Sequence, residues 1–146
     1  MPKRFTLAEA QSLIPRVERL LREAVDLKLS LADAERTIQT IIERIMMLGG
    51  SVVNRDAAIE ARSRREASVE MLRHSIEQVQ ACGCVVKDLD MGLVDFPTLL
   101  RGEEVYLCWK LGEPQIEFWH GVDEGFRGRK AIDQDFRDHH RGDRAQ

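Results

Sequence analysis

The chain predicts an α+β fold: a long antiparallel helical hairpin, kinked near Pro15, packed with a small four-stranded antiparallel β-meander. Two changes of rhythm carry this reading. Up to Cys82 apolar residues recur at alternating spacings of four and three, the signature of helix on helix, whereas beyond Gly83 the period drops to two. Size agrees, because 146 residues at 43% hydrophobic and 32% charged can bury one core without disulfide staples. We therefore expect a single domain over residues 1–130, with helix one at 5–48, helix two at 54–82, the meander at 84–120, a loop at 121–130, and a flexible tail at 131–146.

Thr6 and Glu9 form a capping-box pair, so helix one should start near Leu7. Pro15 lacks an N–H and its ring meets the carbonyl four residues back, which predicts a kink or short break there. The seam then runs through Leu13, Val17, Leu20, Ala24, Leu27, Leu31, Ala34, Ile38, Ile41, Ile45 and Leu48 in heptad spacing. From Pro15 to Leu48 the helix would measure about 50 Å, long for a compact globule of this size, so it should project or meet another copy. Gly49-Gly50 should end it, and Asn54 with Asp56 should start an antiparallel partner.

Helix two has a strong seam only in its second half, at Val69, Leu72, Ile76, Val79 and Cys82. Its first half offers Ala57, Ala58, Ile59 and Ala61, small residues that bury less surface than leucines, so the hairpin tip should be the weakest part or be completed by a second subunit. Arg62, Arg64 and Arg65 read as a solvated face, with Glu60 and Arg64 spaced to pair. A net charge of −3 gives no general attraction to phosphate backbones, which argues against nucleic acid as partner. No window approaches the roughly 20 apolar residues of a membrane span, and three cysteines without CxxC spacing fit a reducing, cytoplasmic setting.

Four strands follow in CVVKDLD, GLVDFPTLL, EEVYLCWK and QIEFWH. A two-residue Gly112-Glu113 turn of type II′ would set Trp109 opposite Ile116 and Tyr106 opposite Trp119. Alternation then predicts a core face of Val105, Leu107, Trp109, Ile116, Phe118 and His120, and an outer face of Tyr106, Cys108, Lys110, Gln115, Glu117 and Trp119. The outer face is too aromatic for a purely solvated surface and is expected to meet a partner.

Chemistry concentrates at the end of this sheet. Glu117, His120 and Asp123 are candidate ligands for a divalent metal, although on an extended strand Glu117 and His120 point to opposite sides. Cys82, Cys84, Cys108 and His120 make a Cys3His count, but Cys-x-Cys is a poor zinc spacing. Asp88, Asp90 and Asp95 bring carboxylates to neighbouring strands, and Gly125 to Arg129 combines glycines and arginines suited to an anion.

The stretch VKDLDMGLVDFPTLLRGEEVYLCWKLGEPQIEFWHGVDEGFRGR, with RFTLAEAQSLIP at the start, resembles a family of bacterial proteins catalogued as a domain of unknown function, with the signature GLVDFP … VYLCWxLGEPxIxxWHxxDxGFxGR. The resemblance covers residues 4–130. It implies a coherent fold and a bacterial cytoplasmic protein, and it supplies no mechanism. Candidate binding residues from the motif and the outer face are Asp95, Tyr106, Cys108, Glu113, Trp119 and Arg129. The expected function is a partner-binding or oligomerising module, most simply a homodimer; the alternative is a metal-dependent enzyme using Glu117, His120 and Asp123.

Overall fold

The structure, a computed structural model, describes residues 3–48 and 55–143. Two helices, α1 (Leu7–Met47) and α2 (Arg55–Ala81), precede four strands, β1 (Val85–Asp88), β2 (Leu93–Leu100), β3 (Glu103–Lys110) and β4 (Phe118–Gly121). The Gly49-Gly50 stop and the Asn54 cap lie outside the described residues. A 3-10 turn at Phe126–Gly128, strand β5 (Lys130–Ala131), helix α3 (Gln134–His139) and strand β6 (His140–Arg141) complete the chain.

Helix α1 starts as its sequence dictates. Glu9 N–H donates to Thr6 Oγ1 at 3.1 Å and Thr6 N–H donates to Glu9 Oε1 at 2.9 Å, closing the capping box. The break expected at Pro15 does not occur: the helix runs unbroken through it, with the proline on the exposed side where water can satisfy the freed carbonyl. Only the first part of the heptad seam is sealed. Val17, Leu20, Ala24 and Ala34 are buried, whereas Ile38, Ile41 and Ile45 beyond them are only half-buried and Leu48 is 51% exposed.

The sheet is antiparallel and larger than four strands, in the order β1-β2-β3-β4-β5 with β6 added to β2 beside Leu99 and Leu100. Its inner face packs Val94, Phe96, Val105, Leu107 and Trp109 against Phe5, Ile14, Val17 and Leu21 at the start of the chain and Val79 at the end of α2. Phe5 meets Phe96 edge-on at 5.4 Å between centroids. Gly83 makes this approach possible: it takes φ +103°, and a Cβ there would lie 2.5 Å from Phe5 Cζ.

Residues 131–143 were expected to trail away as a tail and instead close the domain. Phe136 of α3 is 1% exposed and packs on Trp119 at 5.3 Å. His140 stacks on Phe136 and its Nε2 accepts from Leu7 N–H at 3.0 Å, satisfying one of the orphan donors at the start of α1. Low apolar content hid this segment, because one phenylalanine and a few backbone bonds do the anchoring.

The hairpin register also departs from expectation, by one residue. Val105 faces Gly121, Tyr106 faces His120, Leu107 faces Trp119 and Cys108 faces Phe118. The connection is not a two-residue turn of type II′. Glu113 N–H donates to Lys110 O at 3.0 Å, which makes Leu111-Gly112 the central pair, with Gly112 at φ +102° as a type II turn requires at its third position. Glu113 Oε1 then accepts from Lys110 N–H at 2.6 Å, and Ile116 N–H donates to Gln11 Oε1 on α1 at 2.8 Å. These bonds hold residues 113–117 off the ladder, so β4 re-enters one residue later. Trp119 therefore turns inward beside Leu107, while Phe118 and His120 turn outward with Tyr106 and Cys108.

Candidate functional site

The corrected register gathers a polar cluster on the outer sheet face. Asp95 on β2 pairs directly with Cys108 on β3, and His120 on β4 sits opposite Tyr106, two residues along the same face from Cys108. Asp95 and Cys108 are 0% exposed and His120 is 2%. His120 leans over the middle strand so that its Nε2 lies 3.0 Å from both carboxylate oxygens of Asp95. Its Nδ1 lies 2.8 Å from Gly121 O. A carbonyl only accepts, so Nδ1 carries the hydrogen, and the Nε2 edge faces the carboxylate.

That geometry demands a positive species between Asp95 and His120. A bare imidazole lone pair facing a carboxylate would be repulsive, and burial forbids an unpaired charge. A proton shared by the pair meets the demand. Cys108 Sγ completes a trio whose donor atoms all lie within 4.8 Å of one another, the one cluster of His, Cys, Asp or Glu fit for a metal ion among the described residues.

Arg129 flanks the cluster. Its guanidinium makes a two-pronged ion pair with Glu113, at 3.0 and 2.8 Å, with side chains 11% and 19% exposed. It also lies 3.9 Å from Cys108 Sγ and stacks over Phe118 at 4.0 Å and Phe126 at 4.5 Å. Partial burial works against its charge, but the bonds to Glu113 and Cys108 outweigh this and hold the guanidinium above its ordinary value. Burial pushes the Cys108 thiol up to about 12, the negative Asp95 adds to this, and Arg129 only partly offsets it. Cys108 is therefore a protonated thiol at neutral pH and no nucleophile. Burial likewise raises Tyr106, with Glu104 and Asp95 contributing.

The residues singled out from sequence divide accordingly. Asp95, Tyr106, Cys108, Glu113 and Arg129 lie in or beside the cluster, and His120 stands at its centre rather than in the core face to which alternation assigned it. Trp119 does not join them, since it packs inward on Phe136. Glu117 and Asp123 are exposed and share no cluster with His120; Glu117 O accepts from Ile132 N–H instead. Of the strand acids, Asp88 accepts from Met91 N–H at 3.1 Å and Asp90 pairs with Lys28. The Asp95–His120 contact was missed because it crosses an intervening strand, and only the correct register brings the two to one face.

Fold and site define a domain in which a helical hairpin backs an antiparallel sheet with a sealed polar cluster on its outer face. The chain belongs to the family described as uncharacterized conserved protein (DUF2203), whose profile matches residues 3–132. No curated protein matches the chain. No solved structure matches it either.

Proposed function

We propose that the protein is an oligomerising module, in which a second copy of the chain occupies the groove at the tip of the helical hairpin. The observation that carries this reading is a cavity of about 420 Å³ between α1 and α2, walled by Ile38, Ile41, Ile42 and Ile45 on one side and by Ala58 and Ile59 on the other. The seam of α1 continues past the sheet, yet the facing half of α2 supplies alanines too small to fill it. Ile42, Met46, Met47 and Ile59 are 44%, 76%, 85% and 58% exposed.

Ile42 and Ile59 line the groove and together amount to about one fully exposed side chain, so covering them contributes about 1.5–3 kcal/mol per protomer, to which the half-buried Ile38, Ile41 and Ile45 of the same wall add. The rim carries Arg55 and Arg62 together with Glu66, and a two-fold axis can bring opposite signs together across a self-complementary patch. A cytoplasmic setting belongs to this reading, supported by three free thiols; no helix among the described residues is long and apolar enough to cross a membrane.

Sedimentation equilibrium tests the proposal. The wild-type chain is expected to sediment as a dimer, and Ile42→Glu with Ile59→Glu as a monomer of unchanged helix content. A wild-type monomer throughout the micromolar range, or a dimer indifferent to both substitutions, overturns it.

A further inference from the structure

We propose that Asp95, Cys108 and His120 form a binding site for one divalent transition-metal ion of the zinc type. This site lies on the sheet, and its existence does not depend on the hairpin tip. Three adjacent strands each contribute one donor, and the three differ in chemistry: a carboxylate oxygen, a sulfur and an imidazole nitrogen. That mixed set suits zinc and its neighbours and is wrong for magnesium or calcium, which take oxygen.

Size and orientation agree with the chemistry. Donors bound at 2.0–2.3 Å to a tetrahedral ion lie about 3.3–3.8 Å apart, and these three already lie within 4.8 Å of one another without one. His120 is held as a metal-ligating histidine is held, with Nδ1–H donating to Gly121 O and Nε2 aimed at the shared position. A proton between Asp95 and His120 accounts for their contact, and the Cys108 sulfur within 4.8 Å of both adds the third donor that a metal ion would use.

The charges balance as well. Loading the ion displaces the proton held between Asp95 and His120 and the proton of the Cys108 thiol. The carboxylate, the thiolate and the dication then sum to zero, and no net charge is buried. Arg129 remains neutralised by Glu113 at 2.8 and 3.0 Å, and its guanidinium beside Cys108 Sγ is placed to stabilise the thiolate. Three protein ligands leave a fourth tetrahedral position for water or another small ligand.

Cobalt(II) is the probe, because thiolate ligation gives a near-ultraviolet charge-transfer band and tetrahedral geometry gives intense visible bands. Purified, chelator-treated protein titrated with cobalt is expected to develop both, saturating at one ion per chain, and zinc should bleach them. Cys108→Ser should abolish the charge-transfer band, while Cys82→Ser should leave it intact. Asp95→Asn and His120→Gln should each weaken binding by at least about the 10–100-fold seen for lost supporting groups. No cobalt bands in wild-type protein that is folded by circular dichroism would overturn the proposal. So would bands that survive Cys108→Ser, since the ion would then sit elsewhere, as at His139 and His140.

Discussion

Removing Asp95 should expose how much the domain relies on its outer-face cluster. In Asp95→Ala the His120 edge loses both oxygens at 3.0 Å, at a position where the carboxylate was 0% exposed. Breaking a buried pair by deleting one partner costs about 3–5 kcal/mol. In a chain of 146 residues, each kcal/mol shifts Tm by roughly 2–4 °C, which places the fall at roughly 6–20 °C. Asp95→Asn keeps one acceptor and should lose less, about 1–3 kcal/mol. Urea unfolding of chelator-treated protein measures both, and a double-mutant cycle with His120→Ala should give a coupling well above about 0.5 kcal/mol. A loss for Asp95→Ala within about 0.5 kcal/mol, the range of an ordinary surface change, would mean that the buried pair contributes nothing to stability.

Other consequences are open to simpler tests. Phe136→Ala should cost about 3–5 kcal/mol in urea unfolding, since the ring is 1% exposed and anchors the C-terminal segment to Trp119 and His140; a negligible loss would detach that segment from the fold. Gly83→Ala should sharply lower the yield of folded protein, measured by soluble expression and circular dichroism, because φ +103° and the Phe5 ring both exclude a Cβ. Burial pushes the Cys84 and Cys108 thiols up to about 12. In native protein at neutral pH, alkylation followed by peptide mass analysis should therefore find modification at half-buried Cys82 and little at the other two. The same shifts carry a sign for stability: unfolded thiols ionise near pH 9 while folded ones stay protonated to about 12, so stability should fall as pH rises between those values, and less steeply in Cys84→Ala.

The helices were legible because burial writes a strong period into the sequence. The capping pair of Thr6 and Glu9, the seam through Val17 and Leu20, and the switch of period at Gly83 all follow from local rules. Strands β1 to β3 were legible for the same reason, and the Arg101-Gly102 turn, with both residues at positive φ, joins β2 to β3 as a two-residue hairpin should. What escaped was set by single side chains acting at a distance. Glu113 capping Lys110 N–H and Gln11 capturing Ile116 N–H moved β4 by one residue, and that slip exchanged Trp119 with His120 between faces. Alternation amplifies such an error, since a shift of one inverts every assignment along a strand. Asp95, Cys108 and His120 were each visible as unusual residues, but their convergence depends on that register. The role of Phe136 was hidden because a lone aromatic in a charged segment leaves no period to read.

His120 points outward across β3, donates from Nδ1 to Gly121 O and turns Nε2 to the Asp95 carboxylate. Long-range proton–nitrogen NMR of the histidine rings tests this most directly, in chelated protein and again after adding zinc. A slowly exchanging proton on Nδ1 of His120 is expected in both states, with the Nε2 resonance alone changing from protonated to metal-bound. A His120 ring protonated only at Nε2, or one whose two nitrogens average freely with solvent, would contradict it.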